Sequence, residues 1–339
     1  MATISKKILD LVLYNYPTKK IINFFLSQNI IYKNNFYQQF LKKKVSFVLD
    51  KYKNIPFSLR IENTNYCNGQ CFMCPYPTMK RKKGTMTKEL YKKIIDESQE
   101  LKINYINLHN FGEPLVDKDF VWRVKYAKSK NIKRISTNTN GTLLTKKLAK
   151  EIIESGLDEL FISVDAATKK SYQKIRIGLN YDQVIKNIKY LVQLKKQSNS
   201  SHPKIILDFL EFNLNKNETQ KFIKKWKSIV DSVCISQIHD WSNKKKIDIG
   251  KTINNYVEFS HSPCRLPFTE MLVNWDGTVS LCCQDIEGEI ILGDVNKESI
   301  SDIWQNKKYQ SIRKAHLNLK TKNLPLCQNC KLRTFWWTF

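Results

Sequence analysis

Long apolar segments are absent from this 339-residue chain. The longest runs, such as the one at residues 21–26, are far too short to cross a bilayer. The chain also has no secretory hydrophobic region, no internal repeat and no low-complexity linker. We therefore expect a soluble, cytoplasmic protein with no membrane span, built from one large domain and a small one.

Acidic residues are few, since 31 Asp and Glu stand against 57 Lys and Arg, a net charge of +26. Such a surplus favours an anionic partner, for example nucleic acid, a phosphorylated substrate or an acidic lipid surface. The lysines, however, are spread along the whole chain and form no single basic stripe, as the composition of an AT-rich genome would produce. We therefore do not expect nucleic acid to be the partner.

Histidine is scarce too, with five residues in all and none between residues 60 and 100. Zinc sites usually pair two Cys-x2-Cys units or add histidines. Nine cysteines without a secretory region indicate metal binding in a reducing compartment rather than disulfides. They form an N-terminal group of Cys67, Cys71 and Cys74 and a C-terminal group of Cys264, Cys282, Cys283, Cys327 and Cys330, with Cys234 alone.

The N-terminal group places three thiols within eight residues, directly after a strand-like run. Three thiolates can each bind one corner of an iron–sulfur cube, which leaves the fourth iron without a protein ligand. A site that lacks one ligand can bind a substrate or cofactor. A structural zinc site or a chance grouping of thiols is the alternative.

Cys-x3-Cys-x2-Cys is the signature of the radical S-adenosylmethionine (radical SAM) enzymes, and this segment resembles theirs. The resemblance implies that Cys67, Cys71 and Cys74 are catalytic ligands of a 4Fe–4S cluster that binds S-adenosyl-L-methionine (SAM). The family most often has an aromatic residue before the last cysteine. Here that position is Met73, whose polarizable side chain can pack against adenine.

Residues 57–245 alternate apolar strand-like runs with charged helical stretches. Strands are predicted at 58–63, 104–109, 133–137, 159–164, 204–211 and 232–238, and helices at 87–101, 117–130, 144–155, 182–196 and 216–230. This α/β pattern predicts a parallel sheet with right-handed crossovers, whose functional residues gather at the carboxyl ends of the strands. The resemblance implies the partial (β/α)6 TIM barrel of a radical SAM core.

Three parts of the chain are expected. Residues 1–55 alternate Lys pairs with apolar clusters at helical spacing and predict an N-terminal extension of two or three helices. A substrate-peptide module or a basic helix on a membrane surface is the alternative there. The core spans 56–250, and a C-terminal cysteine domain spans 251–339.

The end of the second strand carries Gly112-Glu113-Pro114, which resembles the Gly-Gly-Glu-Pro motif of the family. The resemblance implies that backbone carbonyls here accept hydrogen bonds from the methionyl amino group, and glycine allows that close approach. Phe111 replaces the first glycine of the motif. The third strand ends in Asn140, within a segment that resembles the Thr-Asn-Gly of the family, although an ordinary strand-to-helix turn explains it equally well.

The fourth strand supplies Ser163 and Asp165, and Arg176 follows thirteen residues after Ser163. In similar enzymes that serine and arginine hold the methionyl carboxylate, since a hydroxyl and a guanidinium suit an anion. Asp165 either hydrogen-bonds nearby or caps the turn. Asn213 and Glu211, at the fifth strand, are candidate contacts to ribose or substrate.

The C-terminal group contains a hairpin signal, Asp-Gly at 276–277, between Cys264 and Cys282. This part resembles the twitch module, the shortened form of the SPASM domain, which comprises a β-hairpin and a helix and holds one auxiliary 4Fe–4S cluster. No cysteine follows Cys330, as the longer form would need. The implied ligands are Cys264, Cys282, Cys327 and Cys330. Cys283 either replaces Cys282 as a cluster ligand or is buried and inert. A structural zinc site with four cysteines is the alternative to the iron–sulfur cluster.

The resemblance implies that a flavodoxin- or ferredoxin-type protein reduces the first cluster. The reduced cluster then cleaves SAM to a 5′-deoxyadenosyl radical, which takes a hydrogen atom from the substrate. An auxiliary cluster can accept the remaining electron, so a net two-electron oxidation is natural. A base would take the accompanying proton, and the candidates are His239, Asp240, Glu211 and Arg265.

We expect oxidation or epimerisation of a sugar- or aminocyclitol-like small molecule, because a single auxiliary cluster and no evident peptide-binding module favour a compact substrate. Maturation of a ribosomal peptide (RiPP) or of a sulfatase is the alternative within the enzymes. Outside them, the alternative is a non-catalytic iron–sulfur or zinc scaffold that binds nucleic acid.

Overall fold

The computed structural model describes residues 35–237, 241, 263–328 and 330. The first described helix, α1, spans Asn35–Lys51 and agrees with the helical prediction for that part of the extension. The prediction for residues 1–34 and the base candidates His239 and Asp240 lie outside the described residues. In the described part of the chain, no helix combines the length and apolarity needed to cross a bilayer.

One nine-stranded sheet organises the molecule, in the order β6-β5-β4-β3-β2-β1-β7-β8-β9. The strands are β1 Ser58–Ile61, β2 Tyr105–Asn107, β3 Arg134–Thr139, β4 Glu159–Ser163, β5 Lys204–Glu211, β6 Ser232–Gln237, β7 Glu270–Val273, β8 Thr278–Ser280 and β9 Ile291–Asp294. The first six strands pair in parallel, which confirms the predicted α/β class. Among the described strands the order is linear, with no pairing that closes a barrel.

Helices connect the strands of the core and cover one face of the sheet. They are α2 Lys88–Glu100, α3 Phe120–Ser129, α4 Lys146–Glu154, α5 Lys169–Ile175, α6 Tyr181–Gln197 and α7 Thr219–Trp226. Helices α2, α4 and α5 each begin after a threonine whose hydroxyl accepts a backbone N–H of the first turn. The seven-residue helix α5 was not predicted, because it is too short for an apolar period to show.

The sheet is apolar on one face and polar on the other. The apolar face carries completely buried side chains from the first five strands, namely Leu59, Ile106, Ile135, Leu160 and Leu207. The positions between them carry mostly polar side chains, which point to the opposite face since strand side chains alternate. The helices therefore pack on the apolar face, and the polar face remains for the site.

The C-terminal domain continues the core sheet rather than standing beside it. Strand β7 pairs in parallel with β1, with Ser58 opposite Glu270. Strands β7 and β8 then form the predicted antiparallel hairpin around Gly277, whose φ of 92° suits glycine. The helices α8 Leu266–Thr269, α9 Ile300–Gln305 and α10 Lys307–Leu317 complete this domain. Local sequence patterns predict the hairpin but do not reveal its parallel partner.

Trp304 of α9 joins this domain to the segment that follows α1. Its side chain is fully buried, and its indole N–H donates to the carbonyl of Tyr52 at 2.8 Å. The Tyr309 ring lies 4.9 Å away between centroids, and the Arg313 guanidinium lies 4.1 Å from the indole centroid. The indole thus contributes both buried apolar area and a cross-chain hydrogen bond.

We predict that Trp304→Ala lowers the free energy of unfolding by about 3–5 kcal/mol, because it leaves a cavity and removes a buried hydrogen bond. Denaturant unfolding of the variant measures this change. The matched control is Phe47→Ala, since Phe47 is 64% exposed, and its change should stay within about 0.5 kcal/mol. Equal losses in the two variants would contradict the role given to Trp304.

Candidate functional site

The cysteine loop, residues 67–74, lies at the carboxyl end of β1 and is held by the segment that follows α5. The amide of Gln70 donates to the carbonyl of Ile177 at 2.9 Å, and that of Phe72 donates to Ile175 at 2.8 Å. The amide of Cys67 donates to the Tyr76 hydroxyl at 2.9 Å. These bonds fix the loop backbone and so fix where its thiols point.

The thiol of Cys67 lies in surroundings that disfavour its ionised form. Burial, followed by the nearby Glu113, Cys71 and Cys74, raises the pKa of Cys67 to about 12, against a lowering bond from the Gly69 amide. Thiols in such surroundings ionise only when a cation offsets their charge. This set of donors therefore fits an iron–sulfur cluster, which binds thiolates.

The Gly112-Glu113 segment packs directly against this loop. Gly112 has a φ of 87°, and a Cβ there would meet the backbone of Asn65 and Tyr66 at 2.7–2.8 Å, so only glycine fits. The buried Glu113 carboxylate accepts from the Thr139 hydroxyl at 2.6 Å, and also from the backbone amides of Asn140 and Leu115. Glu113 thus ties the loop after β2 to the end of β3.

Three further residues that the sequence predicted as cofactor contacts lie near this network. The side-chain amide of Asn140 donates to Asn68 of the cysteine loop at 2.8 Å. Pro114 begins a 3-10 turn, and its buried ring follows Glu113. Met73 is buried, and its carbonyl accepts from the Trp241 indole at 2.8 Å. These three residues therefore line or brace the cysteine loop, where the sequence predicted cofactor contacts.

Asp165 and Arg176 form a buried ion pair at the end of β4. Asp165 has a φ of 59°, and its carboxylate also accepts from the amide of Leu210 at 2.7 Å. Arg176 reaches the sulfur of Cys71 at 3.6 Å, so it contacts the cysteine loop itself. Ser163 ends β4 beside Asp208 of β5, and the structure shows no hydrogen bond between Ser163 and Arg176 among the described residues.

Unpaired polar atoms remain beside the cysteine loop. Within the described part of the chain, Nε of the buried Arg176 has no hydrogen-bond partner, and neither side-chain atom of the buried Asn110 has one. A buried polar group is costly to leave unpaired. A donor on Arg176, with an amide near Gly112, suits a ligand that bears a carboxylate and an amino group. The residues present therefore fit the methionyl end of SAM.

Asn213 takes no visible part in this network. It lies half-buried on the turn after β5, and no hydrogen bond of its side chain is seen among the described residues. The neighbouring Glu211 carboxylate instead accepts from Thr219 at 2.6 Å, at the start of α7. The predicted contact of Asn213 to ribose or substrate stays a prediction.

The C-terminal thiols form a second group, in which Cys327 and Cys330 are buried and the other three are partly buried. Burial, followed by the charges of Cys330 and Cys327, raises the pKa of Cys264 well above its usual value. The pKa of Cys282 is raised by burial and by the thiols of Cys283, Cys327, Cys330 and Cys264. Such a set fits an auxiliary iron–sulfur cluster. Among the described residues, no three His, Cys, Asp or Glu side chains meet closely enough to hold a single ion.

Cys283 has different surroundings from Cys282. Burial raises its pKa, while Arg60 lowers it and Glu270 raises it. Arg60 and Glu270 pair at 2.9 Å across β1 and β7. Cys283 therefore borders this ion pair, whereas the ionisable groups that raise the pKa of Cys282 are the other cysteines.

A polar sheet face extends between the two cysteine groups. The residues that form it are Arg60, Glu270, Tyr105, Asn107, Ser136, Asn138 and Asp208. Asn107 donates to the Ser136 hydroxyl at 2.8 Å, and Arg60 lies 3.5 Å from the Asn107 amide oxygen. At one end Arg60 borders Cys283, and at the other Asp208 interacts with the Asp165–Arg176 pair beside Cys71.

Sequence reasoning missed this polar sheet face, although a signal was present. Polar residues recur at every second position in 58–62, 105–109 and 134–138, between the apolar residues that mark the strands. A parallel strand buried on both faces would instead read as a continuous apolar run. The polar alternation therefore indicates that the second face of the sheet is not packed into an apolar core.

Two ionisable groups on this face have shifted pKa values. Burial, followed by the charge of Asp165, raises the pKa of Asp208 to about 7, against the opposing effect of Arg176. Asn138 donates to the Asp208 carboxylate at 3.3 Å. Burial, followed by the charge of Arg60, lowers the pKa of His109 to about 3, so its imidazole is neutral at pH 7. Neither residue was singled out from the sequence.

Comparison with known proteins gives matches over both parts of the site. The model of the radical SAM superfamily matches residues 61–203, and that of the SPASM iron–sulfur cluster-binding domain matches residues 264–331. A tungsten-containing aldehyde ferredoxin oxidoreductase cofactor-modifying protein of Pyrococcus furiosus is 25% identical over 81% of this chain and 87% of its own length. The S-adenosyl-L-methionine-dependent 2-deoxy-scyllo-inosamine dehydrogenase of Niallia circulans is 25% identical over 80% of this chain and 91% of its own.

Solved structures share the fold at lower identity. BtrN in complex with AdoMet and 2-DOIA superposes with a TM-score of 0.55 at 19% identity, covering 81% of this chain and 93% of BtrN. Streptococcus suis SuiB bound to the precursor peptide SuiA superposes with a TM-score of 0.65 at 17% identity, covering 83% of this chain and 72% of SuiB.

These matches agree with the motifs and with the two groups of thiols. The cofactors are a 4Fe–4S cluster with SAM and an auxiliary iron–sulfur cluster. The chain therefore belongs to the radical SAM superfamily, as an enzyme with a C-terminal SPASM domain.

Proposed function

We propose that this enzyme oxidises a hydroxyl-bearing small molecule, of the sugar or aminocyclitol kind, bound on the polar sheet face. The observation that carries this proposal is the position of that face between the two cysteine groups. Its carboxylates, amides and hydroxyls both donate and accept hydrogen bonds, as the groups of a polyol or amino alcohol require. An apolar substrate would leave these groups unpaired at a considerable cost.

The relative from Niallia circulans supports the same reaction class, since its name describes the dehydrogenation of an aminocyclitol. Its likeness covers 80% of this chain and 91% of its own length. An oxidoreductase also makes use of an auxiliary cluster, which can accept an electron from the substrate.

Cys67, Cys71 and Cys74 would hold the first cluster, and Cys264, Cys282, Cys327 and Cys330 the auxiliary one. When bound, these groups and SAM supply hydrogen-atom abstraction from the substrate and removal of one further electron. Arg176 is available to orient the carboxylate of SAM, because its Nε lacks a partner among the described residues. Asp165 fixes the guanidinium from the other side.

Asp208 is our candidate for the base that takes the hydroxyl proton of the substrate. A pKa of about 7 leaves a useful fraction ionised at neutral pH, as general base catalysis requires. Two of the bases proposed from the sequence lie within the described residues, and both suit this role less well than Asp208. Glu211 is bonded to Thr219 at the start of α7, and Arg265 is exposed.

The direct test of this proposal is deuterium transfer. We expect an aminocyclitol deuterated at its carbinol carbons to give deuterated deoxyadenosine and a ketone, because the hydrogen atom moves to the deoxyadenosyl radical. A deuterated short peptide, offered under the same conditions, should give none. Mass spectrometry of the deoxyadenosine measures both outcomes. Transfer from peptides alone would replace the proposal with peptide modification.

We predict different outcomes for one cysteine of each group. Cys71→Ala should abolish deoxyadenosine formation, because it removes a ligand of the SAM-binding cluster. Cys327→Ala should keep some deoxyadenosine formation and lose the oxidised product, because only the electron acceptor is impaired. Chromatography of both products measures this split. Normal turnover by Cys327→Ala would show that the auxiliary cluster is not the acceptor.

Iron content controls for indirect damage in these variants. Cys234 lies apart from both cysteine groups in the sequence, so Cys234→Ala should keep the iron of the wild type. A similar loss of iron from Cys234→Ala would mean that any thiol change disrupts the fold.

We predict that kcat falls as the pH drops through about 7, since protonated Asp208 cannot accept a proton. Asp208→Asn should lower kcat by about 10²–10⁴-fold. It should also remove the step near pH 7, that is, the fall of kcat as the pH drops through this value. Glu211→Gln is the matched control and should keep the step. Steady-state rates between pH 5 and pH 9 measure both profiles. An unchanged step in Asp208→Asn would assign the titration to another group.

A further inference from the structure

We propose that the electron donor of this enzyme is a small acidic carrier protein that docks on a basic surface beside the cysteine loop. This donor surface consists of Lys80, Lys82 and Lys83, with the neighbouring Tyr66. The inference rests on the assignment of a redox cluster to Cys67, Cys71 and Cys74. It does not depend on which substrate is oxidised.

The backbone of the donor surface is bonded to the residues just before the cysteine loop. The side-chain amide of Asn65 donates to the carbonyl of Lys82 at 2.9 Å. The amide of Gly84 donates back to the Asn65 side-chain oxygen at 2.8 Å. Asn65 is fully buried and lies two residues before Cys67. The basic segment is therefore held in place against the loop that carries the thiols.

A short chain of contacts leads from this surface to the first cysteine. The Lys83 ammonium lies 4.4 Å from the centroid of the Tyr76 ring. The hydroxyl of Tyr76 accepts the backbone amide of Cys67 at 2.9 Å. A single aromatic ring thus separates the charged surface from the cysteine loop. Since electron transfer slows steeply with distance, a carrier docked here would have a short route to the cluster.

The charges of the donor surface are available for a partner. Lys80, Lys82 and Lys83 are exposed, and among the described residues none of their ammonium groups pairs with a carboxylate. Arg81, between them, is instead bound to the buried Glu62 at 2.6 Å. The Glu287 carboxylate accepts the backbone amides of residues 80 and 81 rather than a lysine side chain.

Lysines elsewhere on the surface are often neutralised by a neighbour. Lys128 pairs with Asp158 at 2.5 Å, and Lys130 pairs with Asp96 at 2.8 Å. Lysines occur along the whole chain, whose net charge is +26, so a basic surface is distinguished by the lack of nearby carboxylates rather than by lysine content alone. Three neighbouring cations that pair with no carboxylate in the described part of the chain create a local field, which attracts an acidic protein and speeds its association.

Tyr66 gives this surface the aromatic contact that protein interfaces favour. Its side chain is 45% exposed, and it directly precedes Cys67. Tyrosine is enriched at interfaces because it combines apolar area with a hydroxyl. Exposed lysines and an exposed tyrosine that both border the cysteine loop fit an acidic redox carrier better than a nucleic acid.

The test compares two triple charge reversals in the reconstituted enzyme. The first is Lys80→Glu, Lys82→Glu and Lys83→Glu on the donor surface. The matched control is Lys186→Glu, Lys189→Glu and Lys196→Glu on the exposed side of α6, which changes the net charge equally. Circular dichroism and iron content establish that both variants fold and carry their clusters.

The probe is an acidic flavodoxin, and two measurements do not depend on substrate turnover. Flavin fluorescence gives the affinity of oxidised flavodoxin, and stopped-flow absorbance gives the rate at which its hydroquinone reduces the enzyme. At low salt we expect the donor-surface variant to lose at least about tenfold in both, because opposite charges steer association. The α6 variant should lose less than about twofold. High salt should bring the wild type and both variants together.

Reduction by dithionite separates docking from cluster damage. Dithionite is a small reagent that needs no docking surface, so its rate should be equal in the wild type and both variants. The proposal would be overturned if flavodoxin reduced the two triple variants equally slowly. It would also be overturned if the donor-surface variant alone were no longer reduced by dithionite. The proposal would also be overturned if a short RNA bound the wild type but not the donor-surface variant, while flavodoxin bound neither. Suppose that the aminocyclitol transfers no deuterium, while flavodoxin still reduces the wild type faster than the donor-surface variant. This pair of results would reject only the proposed substrate.

Discussion

The parallel pairing of β1 with both β2 and β7 is the constraint on which the site depends. Strand β1 leads directly into the cysteine loop, and β7 leads into the hairpin that carries Cys282 and Cys283. Because β8 returns antiparallel to β7, Cys282 and Cys283 follow the end of β8 at the opposite edge of the sheet from the cysteine loop, and the polar face lies between the two groups. The Arg60–Glu270 ion pair crosses this junction between the core and the C-terminal domain.

Burial has two opposite consequences around this junction. It makes the thiolate form of Cys67, Cys264 and Cys282 unfavourable, since each of their pKa values is raised by desolvation. A bound iron–sulfur cluster would offset that cost, so folding and cluster binding should be coupled. Burial also raises the pKa of Asp208, and there it yields a carboxylate that can take up a proton near neutral pH.

Much of the fold could be predicted from local sequence patterns. The six core strands follow from apolar runs that alternate with charged helical stretches, and the hairpin at 276–277 follows from a turn that needs glycine. The cysteine spacings and the segment around Gly112 led to the family, which the two family models support. Each of these features is encoded within a few neighbouring residues, so a single sequence suffices to find it.

The remaining features depend on contacts between residues that are distant in the chain. The pairing of β1 with β7 joins residues about 210 positions apart, as the Arg60–Glu270 separation shows, and no local pattern announces it. The surroundings of Cys283 follow only from that pairing, and the raised pKa of Asp208 follows from burial and from the approach of Asp165, which lies 43 positions away in the chain, to β5. The ion pair of Arg176 with Asp165 was likewise not predicted, because the resemblance gave Arg176 and Ser163 as contacts to the methionyl carboxylate and left the role of Asp165 open.

The central claim is that one cysteine group leaves a coordination site for SAM while the other closes its cluster completely. Electron paramagnetic resonance of the anaerobically reconstituted and reduced enzyme, with and without SAM, tests it most directly. We predict two 4Fe–4S signals per chain, of which SAM shifts one and leaves the other unchanged. A single cluster per chain, or spectra in which SAM shifts neither signal, would contradict it.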